Sequence, residues 1–169
     1  MNVALYATVW IALALFVAGE AGKRALERGG AAVGRLWLAS TLGAFLCTAH
    51  MLIAFAVRHG WSHAVAVAVT ARQTAEVFGV SWGGGVYVNY LFVTLWLTEA
   101  CWWRAAPLAY ARRPRWIDWA LRAFYALVIV NAAIVFASPA GRVAGVPLVA
   151  ALLWAWRPAS SSREASAGA

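Results

Sequence analysis

The sequence predicts an all-α integral membrane bundle with five transmembrane helices, the N-terminus outside and the C-terminus inside. Three observations predict it. Apolar runs recur along the 169 residues at lengths near the roughly 20 residues that cross a hydrocarbon core. Charged residues make up 12% of the chain, about half the ordinary share of roughly 25%, and no polar stretch is long enough to build a soluble domain. The charges that exist gather in short loops between the apolar runs, where Lys and Arg report orientation.

The first run, residues 2–19, has no positive charge before it and Lys23, Arg24, Arg28 and Arg35 after it. A secretory signal carries its basic region first, so this run reads as an uncleaved helix entering from outside. Gly29, Gly30 and Gly34 break the helical pattern in the linker. The second run, 36–57, carries Ala39, Gly43 and Cys47 at i, i+4 and i+8, a row of small residues that lets two membrane helices approach closely. His50 shares that face and so points into the bundle.

Between residues 58 and 85 the pattern changes. Ser62 caps a helix over 62–78 that stops at Gly79. Val65, Val67 and Val69 alternate as in a strand, but an isolated strand edge at a membrane surface leaves its backbone groups unpaired. The second half of this helix, with Thr70, Arg72, Gln73, Thr74 and Glu76, is too polar to span. It is expected at the outer interface or dipping back into the bundle, followed by Gly83, Gly84 and Gly85 as a flexible lead into the third span.

That third span, 86–103, holds Asn89 and Glu99. A basic loop with Arg104, Arg112, Arg113 and Arg115, broken by Pro107 and Pro114, leads to the fourth span, 117–137, which contains Asp118, Arg122 and Asn131. The last run, 143–156, reaches only about 21 Å at helical rise, short of a core of roughly 30 Å. Extension backwards past Arg142 or a thinned bilayer would close the gap; four spans and a half-helix is the alternative. Residues 1–157 form a single membrane domain and 158–169 a flexible tail. This topology places Lys23, Arg24, Arg28, Arg35, Arg104, Arg112, Arg113, Arg115, Arg157 and Arg163 inside, and only Arg58, Arg72 and Arg142 outside. It also sets Trp37, Trp102, Trp103, Trp116, Trp119, Trp154 and Trp156 near the inner boundary, where an aromatic belt forms.

Several function classes fall away. A net charge of +8 would serve nucleic acid only on a soluble basic face, and there is none; the bilayer is the partner, with a membrane protein or a second copy as a further one. Cys47 and Cys101 lie in different runs at different depths, so a bridge between them is not expected, and no Cys-x-x-Cys pair offers a zinc or redox site. Nucleophile-elbow, phosphate-loop and zinc-protease motifs are all missing, which leans against an enzyme.

Two polar clusters remain. Near the inner side, Glu99 and Arg122 fall at similar depth on adjacent antiparallel spans, with Asp118 four residues before Arg122. Pairing would offset the ~2.5–3.5 kcal/mol that a central charge costs. Such a pair either fastens two helices or serves a proton or cation path through Glu99. In the outer half, His50, His59 and His63 are candidate ligands for a b-type haem or a transition metal, or else a buried helix tie (His50) and solvated loop residues. Asn89 and Asn131 read as interhelical hydrogen-bonders. Arg122 and Asn131 are nine residues apart, on nearly opposite faces, which requires a central helix or a subunit contact if both face protein.

The block WSHAVAVAVTARQTAEVFGVSWGGGVYVNYLF, residues 61–92, resembles a segment of uncharacterised small bacterial multi-pass membrane proteins. The resemblance covers under a quarter of the chain and implies a bacterial inner-membrane setting, with no activity attached. The functional expectation is a non-catalytic bundle or an accessory subunit of a membrane assembly. A haem- or metal-binding redox subunit using His50 with His59 or His63, and a cation conductor centred on Glu99, are the alternatives.

Overall fold

The computed structural model describes residues 3–27 and 33–157. The start of the first run, the Gly29–Gly30 break, Arg28, and the tail 158–169 with Arg163 lie outside the described residues. The described chain is an all-α bundle without strands, in the order α1 (Val3–Glu27), α2 (Val33–His59), α3 (His63–Phe78), α4 (Gly85–Ala105), α5 (Pro107–Ala111), α6 (Arg115–Val130) and α7 (Pro139–Ala155). A π-helical turn, Asn131–Val135, continues α6. Three stretches, 4–23, 34–59 and 115–135, are long and apolar enough to cross a membrane, and α7 is a shorter apolar helix. Large apolar side chains such as Phe45, Leu52, Leu127 and Val143 are exposed around the bundle, as lipid contact requires.

In lipid the hydrophobic effect does not drive helices together, so close fit has to. α1 and α2 make the most extensive helix contact among the described residues, from Leu5 against His50 to Gly22 against Leu36, and the small-residue row accounts for part of it. A Cβ on Gly43 would stand 2.7 Å from the Trp96 ring and 2.9 Å from Leu15 Cβ. That glycine is where α1, α2 and α4 meet. Around it Phe16, Phe92, Trp96 and Tyr125 form an edge-to-face cluster, with Phe16–Trp96 centroids 4.9 Å apart and Phe16–Tyr125 5.1 Å apart, the favoured geometry for aromatic pairs.

The helix expected over 62–78 is α3, His63–Phe78, with Ser62 as its N-cap. Ser62 sits in extended geometry and its hydroxyl accepts the Val65 amide, while Gly79 ends α3 in the left-handed region at φ 73°, a conformation that carries no steric penalty in glycine. Gly83 has a further reason to be glycine, beyond flexibility: a Cβ there would lie 2.5 Å from Val67 Cγ1 and 2.7 Å from its carbonyl oxygen. The glycine run lets the start of α4 press against α3. α7 begins at Pro139, capped by Ser138, whose hydroxyl accepts the Gly141 amide. The helix therefore extends back past Arg142, to 17 residues in all.

Candidate functional site

Five elements converge at the end of the bundle where α1 finishes. α1 continues beyond its apolar run, so that Ala12, Phe16 and Glu20 repeat at i, i+4, i+8 on the buried face, with Lys23 next on the same face. Glu20, Lys23 and Glu99 are 4%, 8% and 5% exposed. Lys23 Nζ donates to Glu99 Oε1 and Oε2 at 3.2 and 3.1 Å and pairs with Glu20 Oε1 at 2.5 Å. Tyr110 on α5 donates to Glu99 Oε1 at 2.8 Å, and Tyr125 on α6 donates to Oε2 at 2.6 Å. Trp156, just past α7, donates to Glu20 Oε2 at 2.8 Å.

Every charged group in this knot has its partners within the chain, one ammonium being shared between two carboxylates. Buried ions are tolerated when paired and fully hydrogen-bonded, and here both carboxylates take donors on each oxygen. The Lys23 ammonium also lies 5.8 and 5.9 Å from the Tyr110 and Tyr125 ring centroids. Tyr110 is sandwiched: Trp103 stacks on it with centroids 6.0 Å apart, and the Arg113 guanidinium lies 4.2 Å from its ring. Burial pushes the Tyr110 phenol well above its usual range, with Lys23 opposing and Glu99 adding to the shift.

This geometry corrects the expected Glu99–Arg122 pair. Glu99 turns to α1, α5 and α6, whereas Arg122 Nη2 pairs with Asp118 Oδ2 of its own helix at 2.7 Å, and Asp118 also binds Arg113. Asn131 likewise donates to the Leu127 carbonyl of its own helix at 2.7 Å and does not bridge helices. Arg122 and Asn131 can therefore face opposite ways, because α6 itself satisfies both. Lys23, Glu20, Tyr110 and Tyr125 were not expected here. The extended apolar phase of α1 was the readable signal for the first two. Of the seven tryptophans expected at the inner boundary, Trp103 is buried and Trp37 and Trp156 donate to groups inside the bundle, Trp37 to the Ala100 carbonyl at 2.8 Å. Trp116, Trp119 and Trp154 are exposed.

The opposite end holds a cavity of about 210 Å³ between α1, α2, α3, α4 and the end of α6. His50, His59, Thr70, Asn89 and Tyr90 are polar residues on an otherwise apolar lining. His50 Nδ1 lies 2.9 Å from the Leu5 carbonyl and 3.3 Å from Thr8 Oγ1, so this residue ties α2 to α1. The two nitrogens of His63 are taken by Tyr90 and Tyr87 hydroxyls, each at 3.1 Å. Asn89 makes no hydrogen bond within the described residues and sits on the cavity wall.

The three histidines do not assemble as one ligand set. His50 and His59 are nine residues apart on α2, about 13 Å along a helix axis, too far to clasp one iron or metal ion. Gly60 and Trp61, at φ 53° and 61°, break the helix between His59 and His63. Among the described residues no group of three His, Cys, Asp or Glu is placed to hold a metal ion, and Cys47 and Cys101 are both free. Compared with known proteins, the chain matches no family model, no curated protein and no solved structure.

Proposed function

We propose that the chain is a non-catalytic, five-span protein of the bacterial cytoplasmic membrane, N-terminus outside, that serves as an accessory subunit of a membrane assembly. One observation carries this reading: the buried ionisable groups at the inner end are consumed by internal pairing. Glu99 accepts from Lys23, Tyr110 and Tyr125 and has no part in the cavity lining, which leaves neither Glu99 nor its neighbour Glu20 free to relay a proton or take the place of a cation's water. The fourth and fifth crossings rest on α4 and α7. α4 has 21 residues, about 32 Å at helical rise, enough to cross even though Asn89, Glu99 and several aromatic residues dilute its apolar character. The exposed Trp116, Trp119 and Trp154 on the knot side support an inner interface there.

The test has two arms. Cysteine-accessibility mapping should label positions in 112–115 only from inside and positions 60, 61 and 80–82 only from outside; the reverse pattern defeats the orientation. Proteoliposomes with an imposed pH gradient should leak no faster than protein-free vesicles. A flux that Glu99→Gln abolishes while the protein stays folded would overturn the non-catalytic reading in favour of conduction.

A further inference from the structure

The cavity at the His50 end has a chemistry of its own. A carbonyl oxygen can only accept, so the 2.9 Å contact with Leu5 places a proton on His50 Nδ1. Thr8 agrees: its hydroxyl proton goes to the Ala4 carbonyl at 2.7 Å, which leaves a lone pair facing the same Nδ1–H. No carboxylate lies within ion-pair reach of His50 among the described residues, so no neighbour calls for a second proton on the ring. Nε2 then carries the free lone pair, on a residue that lines the cavity. Fixing one ring nitrogen to a backbone carbonyl is how proteins set which nitrogen meets a ligand.

The rest of the cavity is apolar and aromatic. Phe55, Phe92 and Tyr90 contribute rings to its lining, and Phe55 and Tyr90 lie 6.1 Å apart between centroids. A volume of about 210 Å³ exceeds the ~150 Å³ of an apolar cavity that accepts benzene. There is room for one ring with a few substituents. It falls below the roughly 300–1,000 Å³ of pockets for larger ligands. Asn89, an exposed residue among those lining the cavity, supplies a second polar group. His59 Nδ1 is buried with no hydrogen-bond partner on another lining residue, so the polar side of the cavity is under-satisfied in the chain alone. We propose that this cavity binds a phenolic or hydroquinone-type ring, whose hydroxyl donates to His50 Nε2 while the ring packs among Phe55, Phe92 and Tyr90.

The probe pair is 4-fluorophenol and 4-fluorotoluene, nearly isosteric and differing in the hydroxyl, titrated by ¹⁹F NMR against the protein in lipid nanodiscs with empty discs as blank. The phenol should show a saturable shift and bind about fivefold tighter than the toluene, the worth of one net hydrogen bond. His50→Leu should erase that preference while leaving weak binding of both probes. Because His50 also ties α2 to α1, Ala54→Phe fills the cavity from another wall; it should abolish binding of both probes in a protein whose thermal unfolding is unchanged. Competition separates the sources of such a ring. Displacement by decylhydroquinone far better than by hydroquinone assigns a bilayer-borne head group, and equal displacement assigns a small free phenol. No saturable shift, equal affinity for the two probes, or a hydroxyl preference that survives His50→Leu would overturn the proposal.

Discussion

Replacing Lys23 with methionine removes the only cation in the knot while keeping the length and most of the packing of its stem. Two carboxylates, Glu20 at 4% and Glu99 at 5% exposure, are then left with neutral donors alone: Trp156 for one, Tyr110 and Tyr125 for the other. Removing one partner from a buried ion pair costs about 3–5 kcal/mol, since the remaining charge is stranded. Set against a total stability of about 5–15 kcal/mol, that is a large fraction. The assay is reversible unfolding in mixed micelles of rising SDS fraction, followed by tryptophan fluorescence, to which Trp96 and Trp103 in the core contribute. The triple variant Lys23→Met, Glu20→Gln, Glu99→Gln should regain most of the loss, because an uncharged, hydrogen-bonded cluster carries no stranded ion. A Lys23→Met protein within about 1 kcal/mol of the parent, or a triple variant as weak as the single one, would refute the view that the shared Lys23 ammonium holds the two buried acids in place.

Three other outcomes follow from the geometry. Gly43→Val should destabilise by about 1–3 kcal/mol through overpacking, because even its Cβ would press on the Trp96 ring at 2.7 Å; the same SDS titration reads it. The Tyr110 phenol is raised by burial, so the folded state holds its proton where the unfolded chain, with a phenol near pKa ~10, releases it. Stability is therefore intact below pH ~10 and declines as pH rises beyond it, and Tyr110→Phe should flatten that alkaline decline in pH-dependent melts. Finally, protein purified after haem-replete expression should show no Soret band and no α or β bands on dithionite reduction. A reduced spectrum with sharp bands that His50→Ala removes would restore the haem reading.

The parts of this fold legible in the sequence were those set by local chemistry. Ser62 and Gly79 bound the outer helix because capping and a left-handed stop are decided within a few residues. The Ala39–Gly43–Cys47 row pointed to close helix contact, and Gly43 supplies it. Glu99 stood out because an acid in an apolar run must find a partner. Which partner was not legible. Arg122 looked nearest by loop length, yet it had a carboxylate on its own helix at i−4, a competitor already in reach. Lys23 was assigned to topology because it follows an apolar run, and only the continued phase of Ala12, Phe16 and Glu20 marks it as an inward residue. Tyr110 and Tyr125 carry no sequence signal of their role, since a phenol in a basic loop or an apolar helix is unremarkable until tertiary packing aims it. The three histidines suggested a ligand set by count; the backbone turn at Gly60 and Trp61 and the helical rise between His50 and His59 dispersed them.

The knot also has a history written into its sequence separations. Its partners span 136 residues, from Glu20 to Trp156, yet its first ion pair is internal to α1, between Glu20 and Lys23. A chain emerging from the ribosome in order therefore inserts its first helix as an electrically balanced unit, long before Glu99 is synthesised. α4 brings an acid with no cation of its own in that segment except Arg104 at its end, and α1 already waits with an ammonium to receive it. Tyr110, Tyr125 and Trp156 arrive afterwards, each closing one oxygen. The order of synthesis thus matches the order in which the knot's donors become available, with the Lys23 ammonium of the first helix shared by both acids.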